Sequence, residues 1–288
     1  MPLDDNRRFL DFCGVARWHR AGYTGRRGLS ATGERFSPHR FPQPDRVHTP
    51  FGYVEEEDDF HARCSALVHL EFAPGRTLVQ LPFETGVNRQ GYQSELIDLA
   101  LPYIRRHRVD VMFISCSTQV DGMALDRHLK ETAPYFTCFM SAGNQERRSA
   151  NRYISSRYIH GVGAYYLRDG RPASTAYSSY SEHVALSGPT GVRVQTKAEG
   201  PALPFNGTSC AAPAIAGLAA VVNDFFLEKT GRPLPGERML AFLTDCCRPF
   251  GDPAQTGRGA PVLPPPEQVD PWRYQTGTGR RRFPFRRP

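Results

Sequence analysis

The residues best suited to chemistry are gathered in one string, Asn206-Gly207-Thr208-Ser209-Cys210-Ala211-Ala212-Pro213-Ala214-Ile215-Ala216-Gly217. It sets one hydroxyl, Ser209, at the mouth of a helix made almost wholly of small and apolar residues. Unsatisfied backbone N–H groups and the positive end of the helix dipole meet at such a point, and both stabilise negative charge on a reacting oxygen. Ala211, Ala212, Ala214, Ala216, Gly217, Ala219 and Ala220 leave no polar stripe, which predicts a buried helix. A serine in this place also reads as an ordinary N-cap. Acyl transfer by serine needs three further parts: a base, a group that orients the base, and donors for the oxyanion. Asn144 is the candidate donor, in Ser141-Ala142-Gly143-Asn144 after a predicted strand. An Asn there aims its amide into the crevice where open α/β sheets bind ligands, or it simply makes a turn.

Such groups need a scaffold of alternating strands and helices. Strands are predicted at Thr77–Leu81, Val109–Ile114, Tyr135–Met140, Tyr158–Tyr166 and Val184–Leu186. Helices are predicted at Cys64–Phe72, Tyr92–His107, Asp121–Thr132, Ser209–Lys229 and Gly236–Asp245. The alternation implies an α/β fold of three layers, a mainly parallel central sheet with helices on both faces. The first sixty residues are rich in Gly, Pro, Arg and His and read as irregular, with turns at Gly22-Tyr23-Thr24-Gly25 and Ser37-Pro38-His39. The expected organisation is a catalytic domain over residues 1–250. A Pro/Arg-rich segment, 251–288, partly closes it and is expected to be disordered at its end.

Ser209 and its helix resemble the G-T-S-x-A-x-P nucleophile segment of the subtilisin-like serine proteases, and Ser141–Asn144 resembles their A-A-G-N segment. The resemblance implies Ser209 as nucleophile, and Asn144 with the Ser209 N–H as oxyanion donors. Asp58-Asp59-Phe60-His61-Ala62-Arg63-Cys64-Ser65-Ala66 is similar to the family's H-G-T-x-x-A at a helix start, and implies His61 as base. Ala62 and Arg63 replace the Gly and Thr. His69 and His48 are weaker alternatives. The family's acid, an aspartate, ends the first strand after a G-x-T-G-K-G-like turn. The turn is present as Gly22-Tyr23-Thr24-Gly25-Arg26-Arg27-Gly28, but Leu29-Ser30-Ala31-Thr32-Gly33-Glu34-Arg35 has no aspartate. Counting from Thr24-Gly25 reaches Glu34, counting from Gly28 reaches Arg35, and matching Ala31-Thr32-Gly33 to D-T-G loses the acid at Ala31. Glu34 is the choice, with Asp45, Asp58 and Asp59 in reserve.

Val111–Ser117 is similar to the strand that ends in S-L-G and pairs with extended substrate. By that resemblance Ser115, Cys116, Ser117, Ser141, Ala142 and Gly143 line the pocket for the residue before the scissile bond. Weaker likenesses, Ile159–Ala164, Ala176–Ser181 and Tyr274–Gly279, extend the match to most of the chain. The loop after the His61 helix is too short for the calcium site of many secreted members. The resemblance therefore implies no obligatory metal, and no cofactor.

No run is apolar for long enough to cross a bilayer, and Met1–Arg8 has no apolar core of a secretory signal. Seven irregularly spaced cysteines fit free thiols in a reducing cytoplasm better than a disulfide framework, and no Cys/His spacing suggests zinc. The net charge of +7 is nearly all arginine, much of it in Gly279–Pro288. That tail reads as a solvated terminus before it reads as a nucleic-acid contact, because no aromatic residues are set to stack on bases along a basic face. The expectation is a cytoplasmic serine endopeptidase with a dedicated peptide or protein substrate. The alternative is a catalytically impaired relative that binds peptides or acts as a scaffold, since loss of the orienting acid alone costs about 3 × 10⁴ in turnover in subtilisin.

Overall fold

The computed structural model describes residues 2–52, 59–81, 99–116, 122–149, 151–197, 199–234 and 236–275. The main sheet holds β1 (Leu29–Thr32), β2 (Val47–His48), β3 (Thr77–Gln80), β4 (Val111–Ile114), β5 (Thr137–Ser141), β6 (Ile159–Arg168), β7 (Arg171–Ser174) and β8 (Val184–Pro189). Their order is β2-β3-β1-β4-β5-β6-β7, with β8 also on β6. Every pairing is parallel except β6 with β7. Side chains alternate between two cores, as a buried parallel sheet requires. Val111 and Phe113 of β4 join one core, and Met112 and Ile114 the other. The first core takes α1 (Arg7–Phe12), α2 (Val15–Arg20) and α3 (Phe60–Phe72). The second takes α4 (Leu101–His107) and α5 (Gly122–Leu129). A central helix α6 (Thr208–Thr230) and α7 (Gly236–Asp245) return to the first. The three-layer α/β architecture is therefore present.

Two expectations are corrected. The first sixty residues are not irregular: they supply α1, α2 and β1, and β1 lies in the middle of the sheet between β3 and β4. Four residues with two small side chains carry too little periodicity to announce a strand. In addition, α6 is long and apolar enough, by length and composition, to span a bilayer. It is instead the core helix, buried from Thr208 to Phe226. Parts of the predicted 92–107 and 121–132 helices, the 274–279 turn and the 279–288 tail lie outside the described residues.

Topology fixes where a site can form. From β1 the chain moves out to β3, then returns across β1 to β4 and continues to β5 and β6. The carboxyl ends of β1 and β4 therefore flank the point where the winding reverses, the place where sheets of this kind open a crevice. Two helices meet that end. The His69 Nδ1 of α3 lies 3.3 Å from the Pro213 carbonyl of α6. A Cβ at Gly217 would fall 2.5 Å from the Phe72 Cβ, so only glycine permits the approach. These two pairings run α3 and α6 side by side in the same direction, and bring their first turns to the same end of the sheet.

A buried ionic knot joins β1, β4 and α6 at the opposite end. Asp224 of α6 has a fully buried side chain. Its Oδ2 accepts the N–H groups of Thr24, Gly25 and Arg26 at 2.9, 2.9 and 3.2 Å, and its Oδ1 accepts the Arg27 guanidinium at 2.9 Å. The glycine-rich turn ahead of β1 is thus a nest for an internal carboxylate. Next to it, Arg76 binds Asp110 and the Ser30 hydroxyl, and Asn223 donates to Asp110 at 2.9 Å. Residues 251–275 pack on the same body. Ala260–Pro261 pairs with Cys247–Arg248, the Leu263 N–H donates to the Cys13 carbonyl, and Trp18 Nε1 donates to the Pro264 carbonyl.

Removing the Asp224 carboxylate leaves four N–H groups and a guanidinium without their acceptor. Asp224→Ala should lower stability by roughly 3–5 kcal/mol, read as a fall in the urea midpoint. Burial pushes the His69 imidazole down to about 3 and His160 to about 4, from the usual 6.5. Between those values and 6.5 the unfolded chain binds protons that the native one does not. Stability should therefore fall as pH drops below about 6.5, and His69→Gln should flatten that slope in urea titrations at several pH values.

Candidate active site

The carboxyl ends of β1, β4 and β5 deliver Glu34, Ser115 and Asn144 to one crevice, and the first turns of α3 and α6 deliver His61 and Ser209. Glu34 lies two residues past β1. Its Oε1 accepts from His61 Nδ1 at 2.6 Å. The Glu34 side chain is 12% exposed and the His61 ring 47%, so the pair sits at the lip of the crevice with its carboxylate inward. A carboxylate on Nδ1 fixes the tautomer that carries its proton there, and turns Nε2 to the other side of the ring as a proton acceptor. The ring also meets Phe205 edge to face, centroids 5.4 Å apart, on the short strand Leu203–Phe205 that leads toward Ser209. Asp59 is excluded as the acid, because its oxygens accept from Ser37 N–H and Arg63 Nε at 3.0 and 2.7 Å. Asp58 lies outside the described residues.

Ser209 is the second residue of α6, not its N-cap. Gly207 holds the cap position with φ +88°, and a Cβ there would lie 2.9 Å from Asn144 Nδ2. The Ser209 N–H is thus a first-turn donor with no i−4 carbonyl in its helix. Ser209 is 8% exposed. Its Oγ donates to the Ser115 carbonyl at 2.8 Å, and no hydrogen bond joins it to His61. Cys210, the next residue, is a stronger nucleophile by type. Burial pushes its thiol up to about 12, so it stays protonated and inert at neutral pH.

Asn144 is oriented by a residue that sequence reasoning passed over. The Thr208 N–H donates to Asn144 Oδ1 at 2.8 Å, and the Thr208 hydroxyl does so at 3.0 Å while accepting from Gly143 N–H at 3.1 Å. A backbone N–H can only donate, so the atom facing Thr208 must be the amide oxygen. Nδ2 is therefore turned away from Thr208 and makes no hydrogen bond with the described residues. The only signal in the sequence was the threonine immediately before the serine.

The proposed pocket walls are also brought together. The Ser141 hydroxyl donates to the Cys116 carbonyl at 3.4 Å. Ser115, Ser141, Ala142 and Gly143 are buried and Cys116 is partly exposed; Ser117 lies outside the described residues. Two residues not anticipated, Ser149 and Asn151, hold the outer wall through the carbonyls of Ala142 and Ser141, the second at 2.7 Å. Among the described residues no cluster of His, Cys, Asp and Glu is arranged to hold a metal ion.

A serine in the first turn of a buried helix, an amide and a carboxylate–imidazole pair around the reversal point of a parallel sheet are the residue types that acyl transfer by serine needs. The sequence profile of the Subtilase family matches residues 68–239, and the chain belongs to that family. The matched span contains Asn144 and Ser209 and begins after Glu34 and His61. No curated protein matches the chain in sequence. Among solved structures it resembles a lanthipeptide protease, with a TM-score of 0.68 at 17% identity over 90% of this chain and 94% of that one. It also resembles the prenylagaramide maturation protease PagA, with a TM-score of 0.68 at 14% identity over 86% of this chain and 96% of that one. These likenesses establish the fold.

If Asn144 donates to an oxyanion, Asn144→Ala should lower kcat on an activated ester by about 10²–10³. Thr208→Val, which keeps one of the two bonds to Oδ1, should lower it by about tenfold. Both should leave the folded near-UV circular dichroism spectrum intact.

Proposed function

We propose that this chain is a serine endopeptidase with a narrow set of peptide or protein substrates, working in the cytoplasm. The observation that carries the reading is the 2.6 Å contact between Glu34 and His61 Nδ1. It supports Glu34 as the acid: a glutamate past the strand would take the role that an aspartate has in the family. The roles follow. An extended substrate pairs with the edge at Ser115 and Cys116 and takes the Ser115 carbonyl with a backbone N–H. The Ser209 hydroxyl, released from that carbonyl, gives its proton to His61 Nε2 as Oγ bonds to the scissile carbon. Glu34 stabilises the imidazolium formed. Asn144 Nδ2 and the Ser209 N–H hold the oxyanion. The tetrahedral adduct then collapses, the C–N bond breaks, and His61 returns the proton to the leaving amine. Water, deprotonated by His61, attacks the acyl ester, and the acid product leaves as the proton returns to Ser209.

Seven free thiols support a reducing compartment. The two neighbours named as a lanthipeptide protease and a maturation protease support a precursor peptide as the dedicated substrate. The competing reading is a peptide-binding relative without turnover, and the observation on its side is that the Ser209 proton rests on Ser115 and not on His61.

A fluorophosphonate probe separates the two. The enzyme should label at Ser209, fail to label as Ser209→Ala, and label about 10⁴-fold more slowly as Glu34→Ala. Well-folded protein that never labels would establish the binding protein instead. Rapid digestion of casein would overturn the narrow specificity.

A further inference from the structure

A carboxylate placed on a loop needs anchors that a strand would otherwise supply. Glu34 stands beyond the last residue of β1, and the loop from Gly33 to Ser37 is held by side chains instead of a ladder. The Gly33 N–H adds one more bond to the β4 side, to the Phe113 carbonyl at 3.1 Å. The Thr32 hydroxyl accepts the Glu34 N–H at 3.2 Å. Beyond Glu34, the primary amide of Gln80 grips the backbone of Phe36 at both of its groups. The Phe36 N–H donates to Oε1 at 3.0 Å, and Nε2 donates to the Phe36 carbonyl at 2.9 Å. One amide facing one peptide unit in this way imitates a neighbouring strand. Gln80 can reach because β3 pairs in register with β1, Gln80 against Thr32. Phe36 is fully buried, with its ring against Phe41 at 4.9 Å.

The far end of the loop is tied to the helix of the base. The Ser37 N–H donates to Asp59 Oδ2 at 3.0 Å, while Asp59 Oδ1 accepts from Arg63 Nε at 2.7 Å. Asp59 is the residue before α3, two ahead of His61. Gln80 and Asp59 are 1% and 3% exposed, and their side-chain hydrogen bonds go to Phe36, Ser37 and Arg63.

We propose that Gln80 and Asp59 are positioning residues for the reaction, a two-point clamp that sets the Glu34 carboxylate against His61 Nδ1 by fixing Phe36 and Ser37. This rests on the reading of Glu34 as the acid of a triad. The clamp acts only through Glu34, which separates it from a purely structural pair of hydrogen bonds.

The test is a double-mutant cycle on the full chain, read by the rate of fluorophosphonate labelling and by proton NMR of the imidazole N–H. Gln80→Ala should slow labelling by about 10- to 100-fold, the loss expected when a catalytic group is misplaced by about an ångström. In a Glu34→Ala background the same substitution should change the rate by no more than about twofold. The downfield N–H signal of a histidine paired to a carboxylate should be present in the parent chain, absent in Glu34→Ala, and broadened or lost in Gln80→Ala. It should persist in a core variant of α7 with an equal loss of thermal stability. Asp59→Ala serves the same cycle should Gln80→Ala fail to fold. Additive losses in the double variant, or an unchanged N–H signal in both clamp variants, overturn the proposal. A parent chain that shows the signal but never labels overturns the protease reading and leaves the clamp to be judged by the signal alone.

Discussion

Everything at the crevice depends on how closely α3 can lie against α6. Two helices ordinarily pack with axes 8–10 Å apart, and the lower end of that range is open only where small residues face the contact. Here α6 offers alanines and Gly217, and α3 brings Phe72 against that glycine. On its other flank Gly188 of β8 runs so near Ala211 that a Cβ would fall 2.4 Å from its carbonyl. A helix with no bulk at these points can be sunk into the middle of the molecule. Its first turn then becomes a floor for the crevice and not a projection from the surface. The composition that makes α6 look like a membrane segment is the same one that lets it sit there.

Placement along the helix axis is a separate matter, and apolar packing alone does not fix it, since alanines slide past one another at little cost. The charged end supplies the stop. Asp224 and Asn223 on the last turns of α6 lock onto the loop before β1 and onto Asp110 before β4. The strand that leads to Glu34, the strand that leads to Ser115 and the helix whose first turn holds Ser209 are therefore referenced to one buried point. A shift of any one element would strand a charge or several N–H groups without partners, which is costlier than any loss of apolar contact.

The sequence made some of this legible and hid the rest for physical reasons. The α6 string could be read because its chemistry and its burial both require small residues, so the whole helix carries the signal. Gly236–Asp245 was legible to the residue, since its apolar positions recur at helical spacing. β1 was not legible: Leu29 and Ala31 face the second core while Ser30 and Thr32 hold polar partners, and four residues are too few for that alternation to stand out. The candidate acid was the hardest part, because Glu34 is placed by His61, 27 positions on, and by Gln80 and Phe113 acting on the residues beside it, and local spacing could offer Arg35 or Ala31 as readily. Thr208, Ser149 and Asn151 escaped notice because each works through a backbone group, and nothing in a side-chain motif records which carbonyl or N–H needs a partner.

The hydrogen bond from Ser209 to the Ser115 carbonyl commits that oxygen to one donor already present. A hydroxyl whose proton is already committed to an amide oxygen is a poor nucleophile, and this oxygen is one that an extended chain would also seek. A peptide docking in register would bring a backbone N–H to that oxygen and free the Ser209 proton.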